Sequence, residues 1–240
     1  TQPLPLEPFE KLEMDIKFVW VEEYRRHAYV LTVLDTFTRA ALHWHVGYQI
    51  KQGHIKRIWE HVILNFLQPY NCLGKKMRIE VRNDNDSRFI AGTVQEFFEE
   101  NRLNQVFTHP YTPQENGHIE SFHAILSERL SRQIFWSLGE LEQCLTLFYE
   151  KYNNHRLHSS VCYLPPMVFW QCWEKGYVKR TVNEKQRKMK FKLLVPYHKL
   201  SGNMNLREVP CSPSQTLDGL EKEPVFKEMY GAVTLPQPSV

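Results

Sequence analysis

Between Thr108 and Arg132 a proline- and glycine-bearing loop runs straight into a strongly patterned helix, and this stretch, THPYTPQENGHIESFHAILSERLSR, constrains the rest of the chain. Ile119, Phe122, Leu126 and Leu130 recur at three- and four-residue spacing and make one apolar helical stripe. A helix of this kind needs a partner layer. Glu120 sits one residue past the start of the stripe, in the first turn. A carboxylate there can stabilise the helix dipole, or it can be a rigidly mounted metal ligand or acid/base. Other carboxylates at fitting positions would decide between the two.

Upstream, the chain supplies a sheet for the helix to cover. After the proline-rich lead-in of residues 1–11, Leu12–Trp20 (LEMDIKFVW) predicts a strand with Asp15 near its middle. Ala28–Phe37 is rich in β-branched and aromatic residues, and Arg39–Val46 follows after a short break. Together they predict an antiparallel meander. Gln52–Leu67 reads as a helix with Ile55, Ile58, Trp59, Val62, Ile63 and Phe66 on one face. Met77–Val81 is a fourth strand, ending in the polar run Arg82-Asn83-Asp84-Asn85-Asp86. A short helix (Thr93–Arg102), a fifth strand (Gln105–Thr108), the long helix and a further helix (Leu138–Asn153) complete the order. This predicts an α/β fold, a mixed five-stranded sheet flanked by helices.

Composition narrows the class. The apolar content of 42% is enough for a core at 240 residues, and net charge is only +3. Yet residues 1–174 hold 18 Lys/Arg against 21 Asp/Glu, while residues 175–240 hold 12 against 6. A slightly acidic body therefore carries a basic extension. The five cysteines form no CxxC pair, which argues against a disulfide framework and a cysteine zinc site. With no apolar run long enough to span a bilayer, a reducing intracellular setting without a membrane is expected. The chain opens on Thr1 rather than Met, as expected of a piece of something longer.

Three carboxylates now stand out: Asp15 on the first strand, Asp84 after the fourth, and Glu120 opening the long helix. Each alone could be structural. An isolated charge in an apolar strand is costly unless paired or metal-bound, which singles out Asp15. Converging, the three would bind hard divalent cations through oxygen.

These residues carry a resemblance. MDIKF around Asp15, VLDTFTRAALHW at 33–44, VRNDNDSRF around Asp84 and HPYTPQENGHIESFHAIL around Glu120 resemble the catalytic core of DDE transposases of bacterial insertion sequences, the branch closely related to retroviral integrases. The 35 residues between Asp84 and Glu120 match that family's spacing, and YNNHRLHSSVCYLPPMVF at 152–169 resembles the segment after its last core helix. The resemblance implies an RNase H-like core over residues 12–174. It implies Asp15, Asp84 and Glu120 as catalytic metal ligands, holding Mg²⁺ or Mn²⁺, as two ions roughly 3.5–4 Å apart. The implied activity is a polynucleotidyl transferase that cleaves element ends and joins 3′-hydroxyls to target DNA. A homo-oligomer on DNA in the bacterial cytoplasm, at the nucleoid, is expected. The alternatives are an RNase H-like nuclease that cuts without joining, and an impaired or repurposed DNA-binding protein. The helix-turn-helix segment usual at the amino end of such transposases is not in this sequence.

Two positions depart from the pattern. Asp86 stands where the family usually has glycine, and is expected to disturb the turn and add negative charge near the metals. Ser127 stands where Lys or Arg commonly meets DNA. Asp35 reads as structural, holding the turn that follows it, and His43 and His45 line one face of the third strand. His109, His118 and His123 lack the spacing of a zinc site.

Tyr111, Asn116 and His118 are candidates for DNA contact or for ordering the active-site loop, with Arg129, Arg132 and Arg156 beside them. Residues 175–192 hold eight basic residues against one acid, among them Lys179, Arg180, Arg187, Lys188 and Lys190. A basic DNA-binding extension is therefore expected over 175–209, with a small β module at Phe191–Val209. Residues 210–240, proline-rich and aperiodic, read as a flexible tail.

Overall fold

The computed structural model describes residues 4–74, 78–108, 117–183 and 188–200. Its centre is β1 (Lys11–Val21), flanked on one side by antiparallel β2 (Arg26–Asp35) and β3 (Ala41–Gly47). On the other side lie β4 (Ile79–Asn83) and then β5 (Leu103–Phe107), both parallel to β1, giving the order β3-β2-β1-β4-β5. The mixed five-stranded sheet is as expected. β3 begins two residues later than the sequence suggests because a tight turn intervenes. The buried Asp35 carboxylate accepts from Phe9 N at 3.1 Å, Phe37 N at 3.3 Å, and Thr38 N and Oγ1 at 2.9 and 2.7 Å. That turn places Arg39 at φ 69. Asp35 is thus the structural residue that the sequence suggests.

The period of two along a strand sends alternate side chains to opposite faces. Leu12, Met14 and Ile16 of β1 enter one core with Ile55, Ile58 and Trp59 of α1 (Gln52–Val62) and Phe98 of α3 (Gly92–Glu100). A π-helical turn over Ile63–Leu67 extends α1, so the apolar stripe runs on to Leu67 as predicted. The other face of the sheet meets α4 (Gly117–Leu130) and α5 (Leu138–Asn154). Ile119, Phe122, Leu126 and Leu130 are all buried there. Each such side chain contributes roughly 1.5–3 kcal/mol by leaving water. Trp44 of β3 stacks on Tyr149 of α5 at 4.9 Å, and Tyr149 Oη lies 2.5 Å from Thr32 Oγ1 of β2.

Two elements had not been foreseen: α2 (Ser87–Ile90) and α6 (Pro166–Glu174), the latter opened by a proline at its first turn. Of the β module expected at Phe191–Val209, residues 201–209 lie outside the described residues. The β structure is a hairpin that starts earlier, β6 (Val178–Asn183) paired antiparallel with β7 (Lys188–Leu193). Phe191 packs edge-on to Phe37 at 4.9 Å and to Phe169 at 4.8 Å, which ties the hairpin to the body. Residues 201–240, including the expected tail, lie outside the described residues. Among the described residues no helix is long and apolar enough to cross a membrane.

Candidate active site

β1 and β4 run parallel side by side, with Leu12 opposite Val81 and Glu13 opposite Arg82. Asp15 stands within β1, partly exposed, and Asp84 directly follows β4. They come close enough to interact. Burial raises the Asp84 carboxyl above its ordinary range, the Asp86 N–H pulls it back, and the Asp15 carboxylate pushes it up again. The upward shift thus comes first from loss of water and then from the neighbouring carboxylates. Asp15 Oδ1 accepts from its neighbour Ile16 N at 2.7 Å, and its Oδ2 lies 3.3 Å from His123 Nδ1 of α4. His123, not assigned a role from sequence, therefore holds one oxygen of Asp15 in place. Its helical position, one turn beyond Glu120, was the signal that could have found it.

Glu120 occupies the exposed first turn of α4, the helix that packs on β1. Asp15 and Asp84 are thus brought together. Among the described residues no three His, Cys, Asp or Glu side chains stand in metal-holding geometry. The donor set itself, carboxylate oxygens only, suits Mg²⁺ or Mn²⁺ and not softer metals.

Asp86 corrects the sequence expectation. It adopts φ −62 and ψ 134, ordinary extended backbone, so the turn needs no glycine. Its side chain caps α2 by accepting from Arg88 N at 2.9 Å, and it pairs with the Arg88 guanidinium. Its carboxyl is held below the usual range by that pair. The charge nonetheless acts on Asp84, raising it further.

Glu13 is the residue that sequence reasoning missed. It is 2% exposed and projects from the same face of β1 as Asp15. Its Oε2 accepts from Ile119 N of α4 at 2.7 Å. Burial pushes Glu13 up to about 7, against the pull of the Ile119 and His118 N–H groups and of Arg39 and Arg82.

The candidate DNA contacts divide. His118 is exposed on the first turn of α4, and Arg129 on its last. Arg132 is exposed but paired with Glu128 at 2.6 Å, and Arg156 is exposed just after α5. Ser127 turns its hydroxyl to its own helix, donating to His123 O at 2.6 Å. On the hairpin, Lys179 opposes Lys192, Thr181 opposes Lys190 and Asn183 opposes Lys188. The alternation of a strand puts all four lysines on one exposed face. Arg180, opposite Phe191, lies on the other face, which is turned to the body. Tyr111, Asn116 and Arg187 lie outside the described residues.

Two family models, both described as integrase core domain, match the chain at residues 5–113 and 101–166. Between them the two matches mark an integrase core domain over residues 5–166. A protein of insertion element IS476 from Xanthomonas euvesicatoria, itself uncharacterised, is 27% identical over 163 residues, which are 68% of this chain and 44% of that protein. The chain therefore spans less than half of that relative's length. Among solved structures, the simian T-cell lymphotropic virus intasome aligns with a TM-score of 0.52 at 15% identity, covering 68% of this chain and 54% of the other. The catalytic core of BIV integrase aligns at 0.51 and 16% identity, covering 70% and 97%. The Mos1 transposase catalytic domain, solved with raltegravir and Mn, aligns at 0.51 and 12%, covering 70% and 80%. At these identities the likeness is one of fold, the RNase H-like core shared by integrases and transposases.

Proposed function

We propose that this chain is the catalytic core of a metal-dependent polynucleotidyl transferase that cleaves the ends of an insertion element and joins the freed 3′-hydroxyls to target DNA. The observation that carries it is the Asp15–Asp84 pair, two carboxylates brought close enough to interact by adjacent parallel strands, one within β1 and one directly after β4. A structural pair would be quenched by its own chain, as Asp35 is by four donors. Asp15, Asp84 and Glu120 are the residues that would hold divalent cations. Bound there, the cations would supply charge stabilisation at the phosphodiester and an oxygen nucleophile active at neutral pH.

The protein's own part is placement. His123 and the Ile16 N–H fix the two oxygens of Asp15, so its ligand geometry is set before substrate arrives. Asp84 is oriented by the Asp86 N–H at 3.2 Å. The lysine face of the β6–β7 hairpin would take up backbone phosphates of either DNA partner, with His118, Arg129 and Arg156 nearer the core as further candidates. Tyr111, Asn116 and Arg187 belong to the same proposed DNA-contacting set. The chain would act as a homo-oligomer on DNA, since two element ends must be handled together.

The test is nicking of plasmid DNA by the 240-residue chain, followed by joining of a pre-cut oligonucleotide end to that plasmid. Both activities should appear with Mg²⁺ or Mn²⁺ and vanish with chelator. Cleavage without any joining would support the plain nuclease instead. Absence of both with the chain folded and bound to DNA would overturn the proposal.

A further inference from the structure

Glu13 and Asp15 lie two residues apart on one face of β1, yet their surroundings differ. Asp15 is partly open, whereas Glu13 is enclosed, at 2% exposure. Glu13 sits opposite Leu34 of β2 on one side and Arg82 of β4 on the other, at the middle of the sheet. From there its Oε2 reaches Ile119 N at 2.7 Å, across 106 residues of sequence, and the His118 N–H points at the same carboxylate. The first turn of any helix leaves backbone N–H groups without partners inside the helix, and a side-chain acceptor usually comes from the residue just before it. Here the acceptor comes from the central strand of the sheet. The residue it holds, Ile119, is the one immediately before Glu120.

We propose that Glu13 is a positioning residue for Glu120. By accepting from the first-turn amides of α4, its carboxylate would fix where that turn stands relative to β1, and therefore where Glu120 stands relative to Asp15. This rests on the assignment of Glu120 as the third metal ligand. The geometry has a simple consequence. β1 carries one ligand directly and holds a second through a hydrogen bond from the same face, while β4, registered against β1 residue by residue, delivers the third. One strand thereby sets the spacing of all three. A plain helix cap would also stabilise α4, but it would have no reason to originate on the strand that bears a ligand.

Two conservative variants separate reach from charge. Glu13→Gln keeps the length and an acceptor oxygen but loses the charge. Glu13→Asp keeps the charge but draws the oxygens back by one methylene. Amide exchange at Ile119 in the full chain, without DNA or metal, should be about tenfold faster in Glu13→Asp and within about threefold of wild type in Glu13→Gln. In the cleavage assay the Mn²⁺ concentration for half-maximal rate should rise about tenfold in Glu13→Asp, within the roughly 10–100-fold range for loss of an outer-shell partner. The rate at saturating Mn²⁺ should change far less, and Glu13→Gln should restore the wild-type metal response. A merely stabilising cap would move the melting temperature and leave the metal response alone. Unchanged Ile119 exchange in Glu13→Asp, or a metal response damaged more by Gln than by Asp, would overturn the proposal. A wild-type chain that never cleaves DNA would overturn the function instead, and the exchange measurement would still decide whether Glu13 holds the helix.

Discussion

The acidic end of β1 and β4 and the lysine face of the β6–β7 hairpin each gather charges of one sign, but they do so in different media. Asp15 is half-buried within β1 and Asp84 stands exposed just beyond β4, where loss of water and its neighbours push its carboxyl up. The four lysines stand in water on two strands, with Lys179 directly opposite Lys192. Two like charges about 4 Å apart repel by about 1 kcal/mol in bulk water and about 4 kcal/mol near a protein surface of lower effective dielectric. The acids therefore need a compact counter-charge at one point, and divalent cations provide it. The lysines need only a diffuse one, and a phosphate backbone provides that. Carboxylates crowded to one point suit a small multivalent ligand; lysines spread along an open face suit a polyelectrolyte.

The strongest way to break this contrast is to remove one charge from each region. Asp15→Asn, Asp84→Asn and Glu120→Gln should each abolish cleavage and joining together, by more than the roughly 10–100-fold typical of outer-shell losses. DNA affinity should remain, and the metal-free fold should hold or gain stability as repulsion is relieved. Parallel cleavage, joining and filter-binding assays would check this. If joining survived when cleavage was lost, the two steps would not share one site.

Hairpin variants should show the reverse pattern. Lys179→Gln, Lys190→Gln and Lys192→Gln should each lower the slope of log affinity against log salt by about 0.9 if each lysine meets one phosphate. Turnover on saturating DNA should be kept. Arg180→Gln, on the opposite face, is the control and should leave the slope alone. A slope that responds to Arg180 and not to Lys192 would reverse the assignment of faces.

The two regions were unequally legible in the sequence. The α4 stripe and Asp15 could be read because helical period and apolar strand context are local signals, while the spacing from Asp84 to Glu120 gained meaning only through the family resemblance. Glu13 offered the same signal as Asp15, a lone charge between Leu12 and Met14, and was passed over because its partner lies 106 residues away. For Asp86 the added charge near Asp84 is as the sequence suggests, but the disturbed turn is not. The Asp-Ser-Arg-Phe run it opens is itself a helix-start pattern. In the extension, KMKFKL alternates with a period of two, but eight basic residues masked it as a charge run. Alternation was the better guide, because packing of Phe191 against Phe37 and Phe169 decides which face the lysines take.

A third cluster sharpens the comparison, because the fold keeps it uncharged. His43 of β3 stacks on His61 of α1 at 3.9 Å, and His45 lies against His54 at 4.7 Å. Burial holds His61 down at about 4 and His43 well below its usual value, with the neighbouring rings adding to the latter. These folded-state values lie below those of the unfolded chain, so the unfolded chain takes up protons first as pH falls from about 6.5. Their contribution to stability is present above that pH and is lost progressively toward 4. His61→Phe keeps a ring in the stack and removes one titration. The melting temperature of this variant should therefore fall less steeply than that of wild type between pH 6.5 and 4. Identical slopes would mean that the pair is charged or solvated in the folded state.

The smallest effect is expected at Asp86, which belongs to the acidic region by position and to neither region by function. Were its charge crowding a metal site, Asp86→Gly would raise cleavage or lower the Mg²⁺ needed. Its carboxylate, however, is already engaged by the Arg88 amide and guanidinium. Glycine at a helix cap costs only a few tenths of a kcal/mol relative to aspartate, and the half-buried ion pair with Arg88 is worth at most about 1 kcal/mol. The melting temperature should fall by roughly 2–4 °C per kcal/mol lost. Removing the charge also relieves Asp84, while freeing Arg88 brings an unpaired cation to the same place, and both changes draw the Asp84 carboxyl down toward its ordinary range. Cleavage at saturating Mg²⁺ should thus stay within about threefold of wild type, as a pH–rate profile of the variant would record. A tenfold loss would make Asp86 a working part of the site, and its pairing with Arg88 would then be a resting arrangement that opens when metal binds.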